Sequence, residues 1–310
     1  MNDLMLLAGP VLAAMLAAAT PLLFAALGEL VVEKSGVLNL GVEGMMLAGA
    51  VCGFIATVHS GSSTLGFAAA AAAGMVMAAL FGLLTLGLLA NQVATGLALT
   101  LFGVGLSALV GQSYVGRPIA DIPELRIPGL SDLPVIGPAL FGQDAMVYLG
   151  LALVAVVHWL LFRTRAGLVL RAVGENHSAA HALGYKVIRI RFLAVLFGGA
   201  MSGLAGGYLS LSYTPMWAEN MTAGRGWIAL ALVVFATWKP VWVLVGAWLF
   251  GGVTIAQLNI QGLGFAVPSQ LLSMLPYLAT VVVLVAISRD VARIRLNAPA
   301  CLGKVFHPEA

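Results

Sequence analysis

The sequence predicts an all-α polytopic membrane protein with about nine (eight to ten) transmembrane helices. Of its 310 residues, 61% are hydrophobic and only 9% are charged, whereas about a quarter of the residues in a soluble domain are charged. The mean hydropathy is +1.03, and the apolar residues occur in stretches of about 20, the length of a helix that crosses the hydrocarbon core. Helices are favoured over a β-barrel because these stretches lack the alternating pattern of barrel strands.

Eight apolar stretches are long enough to span a membrane, and a ninth candidate, 226–238, is shorter. The ninth supplies only about 20 Å of helix against a hydrocarbon core of about 30 Å, so its span has to recruit the polar residues before it. No basic segment precedes the first stretch, which is also too long for a signal peptide, and we expect it to remain as the first transmembrane helix. The longer stretches are 4–27, 37–58, 64–90, 93–111, 146–162, 192–211, 241–260 and 270–287.

The distribution of Lys and Arg predicts the orientation. The segment 163–191 reads as a short polar helix and holds six of the 15 Lys and Arg residues, so the positive-inside rule places it in the cytoplasm. The connection 112–145 has two arginines against four acids, together with five prolines, and belongs outside. Counting the spans outward from these two segments gives nine, and it predicts an outside N-terminus and a cytoplasmic C-terminus. The tail agrees, since it carries Arg289, Arg293, Arg295 and Lys304.

The first four and the last four spans form two blocks that enter the membrane with opposite sense. This arrangement predicts a pseudo-inverted repeat with broken helices near the midplane. In each block the first span is followed by a polar stretch that glycines interrupt, 33–44 (EKSGVLNLGVEG) and 213–227 (YTPMWAENMTAGRGW). Interrupted helices at matching positions of two repeats are the best sequence indication of a transport site.

The two broken stretches supply the candidate residues of the substrate pathway. Asn39 and Glu43 are four residues apart and share a face if their segment is helical. An alternative interpretation is structural: Glu219 and Arg225 form an ion pair at the interface, and the tryptophans belong to an aromatic belt. The second stretch otherwise offers amide, cationic and ring groups that suit a polar ligand with a flat ring, namely Tyr213, Trp217, Asn220, Arg225 and Trp227.

Two further features each have two interpretations. Asn91 and Gln92 lie at the turn between the third and fourth spans, where amides either cap helices and bond between them or line a pathway. Gly199, Gly203 and Gly207 repeat every four residues, a spacing that permits close helix packing within the chain or across a dimer.

Several function classes are not supported by the residues. His177 and His181 are four apart, which suits metal ligands, but no acid or cysteine cluster completes a site, so we expect no metal. The chain contains no phosphate-binding loop and no G-x-S-x-G nucleophile motif. The net charge of +3 does not indicate nucleic-acid binding, because the basic residues stand beside the spans.

Four segments resemble a known family. Residues 174–184 (GENHSAAHALG) are similar to the cytoplasmic coupling segment of ABC importer permeases, including its alanine-alanine-x-x-x-glycine core. Residues 35–44 (SGVLNLGVEG) resemble the hallmark of the permease branch that serves ribose, nucleosides and branched-chain amino acids. Within that branch, residues 91–100 (NQVATGLALT) and 213–227 point to nucleoside importers. The four motifs occur in order and cover almost the whole chain.

The resemblance implies a single transmembrane permease domain over 1–310, with a coupling segment at 163–191 and an external loop at 112–145. It implies translocation of nucleosides, of the purine type, across a bacterial inner membrane. A separate ATPase subunit would bind ATP and Mg, while this chain would bind no cofactor. A second permease, usually a homologous partner in a heterodimer, and an extracytoplasmic substrate-binding protein would complete the importer. The implied ATPase-coupling residues are Glu175, Asn176, Ala179, Ala180 and Gly184.

One departure and three competing readings accompany the resemblance. Ribose-type relatives carry an additional N-terminal helix, and this chain begins at the next one, in agreement with an outside N-terminus. Within the same class, the substrate is alternatively a sugar or another small polar solute. An ion-coupled secondary transporter needs membrane-buried carboxylates, for which the sequence offers Glu43 alone. A membrane enzyme lacks any nucleophile or metal constellation.

Overall fold

The structure is a computed structural model that describes residues 2–125, 129, 131, 136–262, 268–288 and 297–307. Within these ranges the chain is almost entirely helical, and its only β-structure is two isolated bridges. The α-helices are α1 (Asn2–Lys34), α2 (Val42–Ser60), α3 (Ser63–Gly82), α4 (Gln92–Gly111), α5 (Ile136–Phe141), α6 (Ala145–Arg163), α7 (Arg165–Glu175), α8 (His177–Ala182), α9 (Val187–Tyr208), α10 (Arg225–Phe235), α11 (Pro240–Gly262), α12 (Ser269–Ser273) and α13 (Leu275–Ser288).

Seven helices in the described part of the chain are long and apolar enough to cross a membrane. They are α1, α2, α4, α6 and α11, together with α3 and α9, which are extended by the π-helical turns Leu83–Gly87 and Leu209–Tyr213. Two shorter apolar helices, Arg225–Phe235 and Gln270–Val282, occupy the positions of the short ninth candidate and of the last predicted span. The predicted all-α polytopic fold is therefore confirmed, whereas the predicted count of nine spans is not, since seven described helices are long enough to cross a membrane.

Three element boundaries differ from the prediction, each for a local reason. The first span continues past 27 to Lys34, because its last polar side chains have buried partners. The second helix begins at Val42 and not at 37, since residues 35–41 are held by contacts from other helices. The helix α9 begins five residues before 192, so Arg189 and Arg191 belong to it and not to the coupling segment.

The helix contacts follow the predicted repeat. In the first block α2 packs against α3 and α4, and in the second α10 packs against α11 and α13. The first helices of the blocks, α1 and α9, pack against each other, and each also contacts the third helix of the other block: α3 lies on α9, and α11 lies on α1. This exchange of partners is the pattern that two intertwined inverted repeats produce.

The glycine stripe of α9 brings helices into close contact within the chain. A Cβ atom added at Gly199 would overlap Ala78, and one added at Gly203 would overlap the backbone of Ala70, both on α3. On the neighbouring face, a Cβ at Gly206 would overlap the backbone carbonyl of Met46 on α2. The interpretation of this spacing as a packing surface is confirmed, and the described contacts are intramolecular.

One end of the bundle, which we call the α7–α8 end, carries the basic segment and the tail. The predicted short helix is two helices, α7 and α8, joined at Asn176. The tail segment 297–307 folds back onto them: the N–H of Cys301 donates to the carbonyl of Gly174 at 2.8 Å, and Phe306 packs with Ala180. Of the tail cations named above, Arg289, Arg293 and Arg295 lie outside the described residues.

The opposite end holds the predicted external loop 112–145, which is partly structured. Isolated bridges join Val115 to Trp217 and Pro118 to Met216, and the short helix α5 interrupts the predicted loop. Asp144 caps α6 and also accepts hydrogen bonds from the hydroxyls of Tyr208, the last residue of α9, and of Ser212 in its π-helical extension. Arg126 and Asp132 of this loop lie outside the described residues.

Candidate functional site

The non-helical part of the first broken stretch, residues 35–41, is held by side chains from other segments of the chain. The N–H of Leu38 donates to Gln92 Oε1 at 2.8 Å, and the N–H of Asn39 donates to Glu29 Oε1 at 3.1 Å. The Asn39 side chain closes a local turn by accepting from the N–H of Gly41 at 2.9 Å. Asn39 is fully buried. Polar backbone in the interior of a membrane protein requires such partners, because lipid supplies none.

Glu43, in the first turn of α2, bonds to the start of α10. Its Oε1 accepts from the Thr222 hydroxyl at 2.6 Å and from the N–H of Gly224 at 2.8 Å, while its Oε2 accepts from the N–H of Gly226 at 2.6 Å. Glu43 is 4% exposed. These N–H groups lie at the N-terminus of a helix, which favours a carboxylate through its free donors and its dipole.

The helix α10 begins in the interior of the bundle. Its 11 residues supply about 17 Å of helix at ~1.5 Å per residue, and its C-terminal end reaches the α7–α8 end, where the Trp238 indole N–H donates to Glu33. Residues 214–224 before it are largely irregular. Irregular backbone at this depth occurs where protein covers it or where it lines a cavity.

A cavity of about 370 Å³ lies beside this broken helix, between α1, α10, α11 and α13. This volume is within the ~300–1,000 Å³ range of small-molecule sites. The Cζ atom of Arg225 lies 5.8 Å from the ring centroid of Tyr213, and its guanidinium donates to the backbone carbonyl of Met221 at 3.1 Å. Among the polar and aromatic groups that face the cavity are Tyr213, Arg225, Thr254, Gln257 and Tyr277.

The cavity collects only some of the residues that the sequence predicts for the pathway. Tyr213 and Arg225 line it. Asn39 and Glu43 are buried elsewhere, and Trp217 packs in a separate apolar cluster with its indole N–H unpaired among the described residues. The others do not line the cavity: Asn220 and Trp227 are exposed, Asn91 caps α4, and Gln92 is buried against residue 38.

The alternative structural interpretation of Arg225 is not supported. No ion pair joins Arg225 to Glu219, although the structure describes both residues. Sequence reasoning missed three cavity residues, Thr254, Gln257 and Tyr277. The first two stand three residues apart inside an apolar span, and this spacing on one helix face is the signal that could have identified them.

Two buried carboxyl groups in α1 were also missed. Glu29 and Glu33 are 1% and 2% exposed and stand four residues apart on one helix face. Glu29 accepts from the backbone of Asn39, and Glu33 accepts from Trp238. The expectation that Glu43 is the only buried carboxylate was therefore wrong, because the predicted first span ended at 27 and made these residues appear interfacial.

The predicted coupling residues lie together at the α7–α8 end. The Asn176 side chain caps α8 by accepting from the N–H of Ala179 at 2.9 Å. Ala180 is buried, whereas Glu175 and Ala179 are exposed. Gly184 ends the turn after α8 with a φ of +87°, and nothing lies within 4 Å of a Cβ placed there.

Arg191 connects the predicted coupling region to the first broken stretch, and sequence reasoning counted it only as a loop charge. It is fully buried. Its Nε donates to the carbonyl of Ser35 at 3.1 Å, one terminal nitrogen donates to the carbonyl of Lys304 at 3.1 Å, and the other contacts His177 Nδ1 at 3.2 Å. One guanidinium therefore joins α8, the tail and the turn that follows α1.

Comparison with known proteins identifies the family. Residues 11–286 match the model of the permease component of branched-chain amino acid transport systems. The chain belongs to this permease family. A protein of Haloferax volcanii, provisionally named as the glucose ABC transporter permease TsgC13, is 42% identical to it over 94% of this chain and 95% of its own length. The guanosine ABC transporter permease NupQ of Bacillus subtilis is 32% identical over 91% of this chain and 93% of its own length.

A solved structure agrees on the fold alone. An ABC transporter provisionally assigned to the metal-chelate type, in an inward-facing conformation, superposes with a TM-score of 0.50 at 16% identity, over 89% of this chain and 85% of that one. The permease is thus a multi-pass membrane component of an ABC transporter and not an enzyme. In such systems, nucleotide and its metal bind to the partner ATPase.

Proposed function

We propose that the permease translocates nucleosides, of the purine type, into the cell as one subunit of an ATP-driven importer. The observation that carries this proposal is the cavity beside α10, where the rings of Tyr213 and Tyr277 face the same space as Arg225 and Gln257. A purine base is flat and stacks on aromatic rings, while its ring nitrogens and the ribose hydroxyls bond to amide and guanidinium groups. The relative named for guanosine supports this substrate class.

A second candidate substrate is a hexose such as glucose. The relative that shares 42% identity with the permease carries a glucose permease name, and it matches nearly the full length of both chains. Ring hydroxyls of a sugar would bond to the same polar groups, Arg225, Gln257 and Thr254. The two candidates differ in that only the nucleoside carries a planar base for the tyrosine rings.

The driving ATPase would dock on the α7–α8 end. The exposed residues Glu175 and Ala179, with the cap Asn176 and the turn at Gly184, would form the contact, and the buried Ala180 would join it to the bundle. In this arrangement the α7–α8 end is cytoplasmic, and the N-terminus lies outside. A second, homologous permease and an extracytoplasmic binding protein would complete the transporter in the bacterial inner membrane, with the chain as a single permease domain.

The test is reconstitution of the permease with its ATPase and second permease in vesicles, followed by uptake of labelled guanosine and labelled glucose. We expect ATP-dependent guanosine uptake that glucose does not compete. Uptake of glucose alone would support the second candidate. Uptake that persists with a catalytically inactive ATPase would overturn the ABC mechanism in favour of an ion-coupled transporter.

Substitutions test the position of the substrate site. Tyr213→Ala and Arg225→Ala should reduce the affinity for guanosine while insertion and assembly stay normal, because both side chains face the cavity. Asn220→Ala and Trp227→Ala change exposed residues of the same stretch that do not line it. Greater loss of uptake in the second pair than in the first would place the pathway on the exposed side of α10.

A further inference from the structure

A second cavity, of about 500 Å³, lies on the side of the bundle at the α7–α8 end, where the end of α3 meets the start of α9. Its walls are almost wholly apolar and include Leu83, Ile188, Phe192 and Phe306. It opens broadly to its surroundings. It shares no lining residue with the cavity beside α10.

The side chains around this cavity are apolar and exposed. Leu83 and Phe192 belong to membrane-spanning segments, and Leu83, Leu88 and Leu193 are 59%, 76% and 56% exposed. No other described part of the chain covers these side chains. An apolar cavity in the wall of a membrane helix bundle, at the level where the spans end, is within reach of lipid acyl chains.

Two cations stand at the rim of the cavity. Lys186 and Arg189 line it and are exposed, and neither has a side-chain hydrogen bond or an ion pair among the residues that the structure describes. No acidic residue lines the cavity. An anionic phospholipid would fit both features, since its phosphate headgroup matches the two cations and its acyl chain matches the apolar cavity. Basic pockets between transmembrane helices bind such headgroups.

We propose that this cavity binds an anionic phospholipid, with an acyl chain along Leu83, Ile188 and Phe192 and the phosphate between Lys186 and Arg189. Phe306 connects the lipid to α8. Its ring lies in the cavity wall, and its centroid lies 5.2 and 5.4 Å from the ring centroids of His177 and His181 of α8. A bound acyl chain packs against Phe306 and thereby supports α8 in its present position.

The experiment uses the assembled transporter, purified in detergent and analysed by native mass spectrometry with added phosphatidylglycerol or phosphatidylcholine of matched chains. We expect preferential retention of phosphatidylglycerol. The double variant K186Q/R189Q should weaken this retention about thirtyfold, since two cations near the headgroup are removed. The matched control R163Q/R165Q removes two exposed cations of the same end that do not line the cavity, and it should retain the lipid as the unchanged protein does.

A second variant tests the acyl-chain part separately. Ile188→Trp fills the cavity from a half-exposed position and leaves both cations in place, so it should also reduce phosphatidylglycerol retention. Equal retention of the two lipids, or unchanged retention in K186Q/R189Q, would overturn the proposal. Retention of added inorganic phosphate, with no retention of phosphatidylglycerol, would show a phosphate site and overturn the lipid proposal. Dissociation of the ATPase in K186Q/R189Q, with lipid retention unchanged, would assign the two cations to the ATPase interface.

Discussion

The carboxylate of Glu43 and the backbone N–H of Gly226 lie 2.6 Å apart and join the first turns of α2 and α10. The two helices leave this point toward opposite ends of the bundle: α2 ends near His59, which contacts Tyr114 in the predicted external loop, while α10 ends near Trp238. Two helix starts, one from each repeat, thus share one buried carboxylate. The contact links the two repeats at the depth where the cavity beside α10 begins.

Replacement of Glu43 by Gln should separate these helix starts. The carboxylate accepts from three donors, and an amide nitrogen in place of one oxygen leaves at least one buried N–H without an acceptor, at a cost of about 1–3 kcal/mol. We expect a lower thermal unfolding midpoint in detergent and a loss of uptake. Glu219→Gln, at an exposed carboxylate of the same region, is the control and should have no effect. Equal midpoints for both variants would contradict the role given to Glu43.

Replacement of Gly226 by Ala should disturb the same contact sterically. A Cβ there would lie 2.6 Å from Glu43 Oε2 and 2.7 Å from its Cα, so the helix starts have to move apart, at a cost of about 1–3 kcal/mol. Gly105→Ala is a matched helical control, because nothing lies within 4 Å of its Cβ, and Ala is ~1 kcal/mol better than Gly in a helix. The thermal unfolding midpoint should therefore fall in Gly226→Ala and rise in Gly105→Ala. A stabilised Gly226→Ala variant would show that the contact is looser than described.

The sequence indicates where the chain breaks, but not what holds the breaks. Glycines and polar residues in an apolar chain identify 33–44 and 213–227 as interrupted. The structure buries most of the first stretch but only Trp217, Thr222 and Gly226 of the second. The partners of these stretches include Gln92, Arg191 and residues 222–226, which lie 54 to 183 residues away along the chain. Such pairings depend on tertiary packing, to which local patterns are insensitive.

The residues that line the cavity beside α10 were likewise only partly predictable from the sequence. Tyr213 and Arg225 could be predicted because they stand in a visibly polar stretch. Thr254 and Gln257 lie inside a span whose mean hydropathy hides single polar residues, and Tyr277 reads as a lipid-facing aromatic residue. Arg191 was interpreted through the positive-inside rule, which counts charges without regard to burial, and only the packing of the tail shows that it is enclosed.

Replacement of Arg191 by Lys should weaken the link between the coupling region and the first broken stretch. A lysine keeps the charge but cannot reach Ser35, Lys304 and His177 together, since it lacks the planar fork of donors. We expect fewer substrate molecules transported per ATP hydrolysed, and faster hydrogen exchange in the tail segment 297–307. Arg165→Lys, at an exposed cation of α7, is the control. A full transport ratio in Arg191→Lys would contradict a connecting role for this side chain.

The turn at Gly184 gives a test of the coupling surface that depends on backbone conformation alone. With φ at +87° and open space around a Cβ, Ala at this position is strained by about 1–2 kcal/mol, whereas Asn tolerates the left-handed region. Gly184→Ala should therefore reduce ATPase-coupled uptake, and Gly184→Asn should restore most of it. The measurement is the ATPase rate and uptake of the reconstituted transporter. Equal defects in Gly184→Ala and Gly184→Asn would indicate that the ATPase contact tolerates no side chain at this position, whatever its backbone preference.

The packing of the α7–α8 end should weaken at acidic pH because of His177. Burial, together with the charges of Arg191 and Lys304, lowers the pKa of His177 below its ordinary value, and its Nδ1 accepts from Arg191. The unfolded chain binds the proton more readily, so the stability that neutral His177 contributes is present above its unfolded pKa of about 6.5 and is lost as the pH falls through the lower folded value.

We therefore expect hydrogen exchange in α8 and in the tail segment 297–307 to accelerate as the pH is lowered through about 6.5, after correction for the intrinsic exchange rate. His177→Gln should remove this acceleration, because glutamine has no proton to gain. His181→Gln is the control, since His181 also contacts Phe306 but does not contact Arg191. If His177→Gln keeps the acceleration and His181→Gln removes it, the titrating group is His181, and the contact between His177 and Arg191 is not the pH-sensitive element.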